Sequence, residues 1–203
     1  MTIVIWVEGD SDKAALEGLL RLATAQCERK GFRPDINVGG GTKLLRNIGK
    51  FAAADFQDGA DYVFALADLH EKDSCPDATR TRLREAVHKV IEDQKLRERF
   101  RPHVAVPEME AWLLCDPTAL PQARVGSPRL PTNPEALGPG KAKELLDDFL
   151  EKARGQGHGY KGTADAGSIA SHANPDLVAQ TCAHFRDLVE DLARCAGITE
   201  GEQ

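Results

Sequence analysis

At 203 residues, with 41% hydrophobic and 29% charged residues, the chain has the composition of one ordinary globular domain long enough to bury a real core. Its net charge of -6 argues against a protein whose main task is tight, nonspecific binding to a phosphate backbone. Five cysteines with no CxxC spacing argue against a zinc site, and with no signal-like segment or membrane-length apolar run they predict free thiols in the cytoplasm.

The chain opens MTIVIWVEGDSD, in which the apolar run Ile3 to Val7 predicts a buried strand. Leu16, Leu19, Leu20 and Ala23 follow at helical spacing, with Asp10 or Ser11 available as N-cap. Asp35 to Val38 reads as a short second strand. Gly39, Gly40 and Gly41 then lead into a helical stripe of Leu44, Leu45, Ile48 and Ala52. The run Tyr62 to Ala67 is a third strand. A charged helix is expected over Thr79 to Phe100, with Leu83, Val87, Val90 and Ile91 inward. His103 to Val106 is a fourth strand stopped by Pro107, and Glu108 to Leu114 reads as helix.

This alternation predicts an α/β fold, a mostly parallel four-stranded sheet flanked by helices over residues 1–115. Residues 116–140 are rich in Pro and Gly and read as a loop. Residues 141–203 read as a helical C-terminal extension packing on the core, with helices over Lys141 to Arg154 and Pro175 to Ala196 around a glycine-rich loop from Gly155 to Gly167.

Sites in open parallel sheets lie at the carboxyl ends of the strands. Three of the four predicted strands end beside an acid: Glu8 with Asp12 after the first, Asp68 with His70 after the third, Glu108 and Glu110 after the fourth. Converging carboxylates raise one another's pKa, and the usual remedy is a divalent cation that prefers oxygen ligands, Mg2+ or Mn2+. Against this, single acids after strands commonly cap the next helix, and Asp10, Glu71 and Asp73 are assigned there. Gly40, Gly41 and Lys43 are candidates to touch a substrate phosphate, although the turn lacks full phosphate-loop spacing. Trp112 is expected to pack beneath the acidic edge. Arg80, Arg82 and Arg84 read as a solvated helix face, with a role in guiding a nucleic-acid strand as the alternative.

Glu-Gly after an apolar first strand, with a later strand ending in Asp68, resembles the Toprim domain. His70 stands where the usual second aspartate of that domain would be. Asp12, four residues past Glu8, and Glu108 or Glu110 after the next strand resemble the OLD-type Toprim nucleases. The resemblance makes Lys161 in GYKG, ahead of Lys141, the candidate for their late lysine. VEGDSD, GGGTKLL, VPEMEAWLL, GPGKAKELL and GYKG together resemble short Toprim-like bacterial proteins grouped as a domain of unknown function. These are often encoded beside an ABC- or OLD-type ATPase in what look like phage-defence cassettes.

The resemblance implies a Mg2+- or Mn2+-dependent nuclease acting on DNA or RNA. Glu8, Asp12, Asp68, His70, Glu108 and Glu110 would be its candidate metal ligands and Lys161 its transition-state cation. The alternatives are a non-catalytic regulatory subunit of a partner ATPase and, on the triple glycine alone, a nucleotide-binding enzyme.

Overall fold

The computed structural model describes residues 1–30, 34–69, 75–120 and 130–198. The first strand, β1 (Ile3–Val7), sends Ile3, Ile5 and Val7 to one face of a sheet and Val4 and Trp6 to the other. Both faces are covered, which is why the strand is apolar throughout rather than alternating. After it come α1 (Asp10–Leu19), α2 (Arg21–Arg29), β2 (Asp35–Val38), α3 (Lys43–Gln57), β3 (Tyr62–Asp68), α4 (Pro76–His88), α5 (Gln94–Arg97) and β4 (Phe100–Ala105). The sheet order is β2-β1-β3-β4 and every pairing is parallel.

Beyond the sheet lie α6 (Met109–Leu113), a 3-10 turn at Pro134–Ala136, α7 (Lys141–Arg154), α8 (Thr163–His172), α9 (Pro175–Thr181) and α10 (Ala183–Cys195). One apolar cluster joins Ile3, Ile5, Val7, Phe64 and Leu66 to α1 and to α6 through α10. The other joins Val63, Ala65 and Ala67 to α3 and α4. The α/β architecture with helices on both faces and a helical C-terminal part is therefore as the periodicity predicts. Trp112 is fully buried and meets Phe185 edge-on at 5.1 Å between ring centroids.

Three boundaries differ from expectation, each because of a specific contact. The long charged helix stops at His88, where the Arg97 side chain donates to the His88 and Ile91 carbonyls; the Asp93 carboxylate then caps α5. Val90, expected inward, is exposed. The fourth strand starts at Phe100, paired with Val63, and tolerates Pro102 because β4 is an edge strand. The last helix is broken at Cys182, whose extended backbone starts α10; the Glu135 carboxylate accepts the Ala183 and His184 N–H groups at 3.0 Å each. Leu145 lies on the exposed side of α7.

The helix α8 starts inside the glycine-rich loop expected from Gly155 to Gly167 and runs on to His172. Its small residues make sense only against α1. A Cβ at Gly18 would stand 2.6 Å from the Ala170 Cβ and 2.8 Å from Ser171 N. The Arg21 guanidinium ties the same junction by donating to the Gly18, Ala170 and Ala173 carbonyls. Gly18→Ala should force α1 from α8 and destabilise the fold by about 1–3 kcal/mol, read as a lower urea midpoint at unchanged slope.

Candidate metal and phosphoryl-transfer site

The carboxyl edge of the sheet is built from backbone contacts. Val7 ends β1 and Glu8 follows it, and the glycine turn after β2 closes over them: Gly39 N–H donates to the Val7 carbonyl at 2.8 Å and Gly41 N–H to the Glu8 carbonyl at 2.6 Å. Gly40 and Gly41 have φ of 81° and 64°, a left-handed turn that favours glycine. A Cβ at Gly41 would meet nothing within 4 Å and one at Gly40 only the Lys43 side chain, so this side of the turn is open. Lys43 opens α3 beside it.

Four carboxylates meet at this edge. The Asp68 N–H donates to Glu8 Oε1 at 3.2 Å, locking the Glu8 side chain across to β3. Asp68 Oδ1 accepts the Met109 N–H at 3.0 Å, so the same side chain orients α6. Asp12 Oδ2 accepts the Gly9 N–H at 2.8 Å, holding Asp12 on the first turn of α1. Gly9, not Asp10 or Ser11, is the N-cap residue. Glu110 rides on the first turn of α6. Glu8, Asp12 and Glu110 are 9%, 8% and 7% exposed.

The energetic signature is mutual repulsion in a dry place. Burial pushes the Asp12 carboxyl up to about 6; the Gly9 N–H opposes this, and the Glu110 and Glu8 charges add to it. Asp68 is driven well above its ordinary range by burial and then by Asp12, Glu8 and Glu110. Glu110 is raised by burial and by Glu108, while Lys143 and Tyr160 act to lower it.

Glu108 and Glu110, left as alternatives by the sequence, occupy different places. Glu108 Oε2 accepts the Gly140 N–H at 3.1 Å and Oε1 accepts the Lys143 N–H at 3.0 Å, which caps α7 from outside. Glu110 joins Glu8, Asp12 and Asp68.

Lys141 is exposed and paired with Glu144 at 2.6 Å. Lys161 is exposed; its N–H donates to Asp165 at 2.6 Å and its charge bears on that carboxylate. Asp165 also takes a bidentate contact from Arg154, at 2.7 and 3.0 Å. Two residues the sequence reading underrated face the acids instead. Lys143 acts on Glu110. The Tyr160 hydroxyl is buried and lies close enough to Glu110 and Asp12 to feel their charge, yet it meets no partner in hydrogen-bond geometry. Burial and the Glu110 charge keep that phenol protonated. Asp147 fixes its position by accepting the Tyr160 N–H at 2.7 Å. The one signal for both was their place in the motifs GPGKAKELL and GYKG. His70, and with it Glu71 and Asp73, lies outside the described residues.

An all-oxygen donor set of this kind suits a hard divalent cation. Among the described residues, no three Asp, Glu, His or Cys side chains stand together in position to share one ion. Mg2+ asks for less, taking one or two carboxylates and completing its octahedron with water and phosphate oxygen. The cluster fits that requirement.

The chain belongs to the family described as Domain of unknown function (DUF4276), matched over residues 7–193. This is the kind of family to which the motifs pointed. Among solved structures, the C-terminal region of the Burkholderia pseudomallei OLD protein is similar with a TM-score of 0.48 at 15% identity, over 92% of this chain and 98% of that one. The C-terminal region of the Xanthomonas campestris pv. campestris OLD protein is similar with a TM-score of 0.45 at 11% identity, over 95% and 97%. No curated protein matches the sequence. No helix among the described residues is long and apolar enough to cross a membrane.

Raised carboxyl pKa values mean that the folded chain holds protons the unfolded chain has released. The cluster's contribution to stability therefore falls as pH rises through the interval from 3.8 to about 6 for Asp12, and over a window that opens at the same 3.8 for Asp68. Asp68→Asn keeps an acceptor for the Met109 N–H and should raise Tm near pH 7.5 more than near pH 4.5. Millimolar Mg2+ should raise the Tm of the parent protein near pH 7.5 and leave that of Asp68→Asn nearly unmoved. Glu108→Ala should cost about 1–2 kcal/mol of stability through the lost α7 cap, measured by urea unfolding.

Proposed function

We propose that this chain is a nuclease that hydrolyses phosphodiester bonds of DNA or RNA with Mg2+ or Mn2+. The observation that carries the reading is the convergence of Glu8, Asp12, Asp68 and Glu110, buried and mutually repelling, at the edge where a parallel sheet presents chemistry. Acids gathered this way cost stability unless a cation offsets them, and they have no other evident packing role as a group. Glu8 and Asp68, with Asp12 and Glu110 beside them, would hold the metal, which when bound would polarise a phosphoryl oxygen and offset its developing charge.

The chain's own groups supply the rest. The open Gly40–Gly41 turn and Lys43 receive a phosphate at one rim. Lys143 brings positive charge beside Glu110. The Tyr160 hydroxyl, kept protonated, is a donor held ready for a phosphoryl oxygen. Such fixed donors help because their orientation is set before charge develops.

A second reading is a subunit of the same build that works only with a partner ATPase of the ABC or OLD type, in phage defence. It is favoured by the acidic balance of the chain, a net charge of -6, and by His70 standing where the second aspartate of the Toprim pattern would be. An assay of labelled DNA and RNA with Mg2+ or Mn2+ separates the two readings. Cleavage by the parent protein should fall about 100-fold or more in Glu8→Ala and in Asp68→Ala, since outer-shell changes alone cost about 10–100-fold. Lys143→Ala should lower kcat, while Lys141→Ala should leave it unchanged. No cleavage by folded parent protein, with cleavage appearing once the ATPase is added, would select the second reading.

A further inference from the structure

Away from the acidic edge, the face of α4 looks into an open cleft of about 630 Å³ between α4, α5, β4 and α10. Arg80, Arg84, Arg97, Arg101 and Arg194 line it. Four carboxylates lie among them, Asp77, Glu98, Asp187 and Asp191, so the lining is weakly cationic within a chain of net charge -6.

The arginines are held in a way that preserves their charge. Arg97 is fixed by two neutral acceptors, the Ile91 and His88 carbonyls. Arg101 donates to the Glu98 carbonyl at 2.7 Å, and its Nε, buried, stands 3.6 Å from Asp191 without a hydrogen bond. Asp191 is shared between Arg101, Arg194 and His103, so no one cation takes it whole. Arg80 spends one contact on Asp77, itself mostly exposed. Arg84 is exposed on the same helix face.

We propose that this cleft binds the phosphodiester backbone of a single nucleic-acid strand and leads it toward the acidic edge. Guanidinium forks match phosphate oxygens, and a lining that keeps spare N–H donors suits an anion supplied by the ligand. Positions 77, 80, 84 and 88 share one face of α4, and Arg80 and Arg84 are separated by about 6 Å along the axis, a spacing that successive phosphates of an extended strand can follow. The volume suits a few nucleotides and not a duplex. The rings that line the cleft, those of Phe100 and His103, are buried and leave no exposed aromatic face for a base to stack on, which suits contact with the backbone.

Direction comes from topology. β3 and β4 are parallel, so α4 must run from the carboxyl edge, where Asp68 ends β3, back to the start of β4. A strand lying along α4 is thereby aimed at the carboxylates. An acidic peptide would gain nothing from that alignment. The biological sense of this site rests on the nuclease reading, whereas binding itself does not.

Binding is therefore measured without metal, in EDTA at low salt, by anisotropy of a short labelled oligothymidylate. Arg84→Glu and Arg194→Glu, both at exposed positions, should each weaken binding about tenfold or more. Each should also make the dependence of log K on log salt shallower by roughly one unit or less. Arg29→Glu changes net charge equally outside the cleft and should bind as the parent does. Thermal melts confirm that the variants fold. The proposal is overturned if the folded parent does not bind, if Arg29→Glu weakens binding as much as Arg84→Glu, or if polyglutamate of equal charge displaces the strand as well as unlabelled oligothymidylate does. Loss of cleavage with this binding pattern intact would count against the nuclease reading alone.

Discussion

Four carboxylates held together against their own repulsion are the constraint on which the rest of the site depends. Left to themselves, Glu8, Asp12, Asp68 and Glu110 would turn toward water. Three of them are tied to this place or hold a neighbour to it through backbone N–H groups: the Asp68 amide on Glu8, the Gly9 amide on Asp12, and the Met109 amide on Asp68. Backbone donors are well suited to this, because they partly satisfy a carboxylate without neutralising it. A lysine in each of those places would settle the charge and leave no reason for a cation to enter. The four acids thus keep their charge uncancelled: burial first, and then neighbouring carboxylates, raise Asp12 and Asp68, and burial with the Glu108 charge raises Glu110.

The same residue type does opposite work a few positions away. Asp165, Glu135, Asp116 and Asp191 are partly buried too, but each is met by an arginine, a histidine or several N–H donors, and each is held below its ordinary carboxyl value although burial pulls the other way. These acids hold loops and helix ends. Glu108 and Glu110 show the contrast within three residues, one capping α7 and the other joining the cluster. What separates a structural acid from a candidate ligand here is whether its partners cancel the charge.

That distinction is also where the sequence stops being legible. The parallel strands, their two-sided burial and the edge carrying Glu8 and Asp68 follow from apolar runs and the geometry of parallel sheets, and were readable in Ile3 to Val7 and Tyr62 to Ala67; the strand order β2-β1-β3-β4 was not. The choice between Glu108 and Glu110 was not, because it depends on the arrival of the α7 N-terminus, brought from more than thirty residues downstream. Lys143 and Tyr160 were hidden for the same reason. The break at Cys182 needed Glu135, and the helix α8 needed the close approach of Gly18. Each is a contact between distant segments that no local period encodes. Pro102 within β4 is a milder case: a strand breaker in isolation, it is tolerated because, among the described residues, no strand pairs on the outer side.

The distribution of charge carries the synthesis one step further. With 32 acids against 26 lysines and arginines, this chain has little cationic surface to spare. It nonetheless keeps five arginines around one cleft and four carboxylates around one edge, joined by the length of α4. An acidic protein with evenly mixed charge would repel a polyanion from every side. On the two proposals made above, five guanidinium groups along one approach would attract a phosphate chain, whereas four uncancelled carboxylates at the edge would oppose it until a cation bound. If both proposals hold, association along α4 and engagement at the carboxylates would be two different events, the first sensitive to salt and the second to metal and pH.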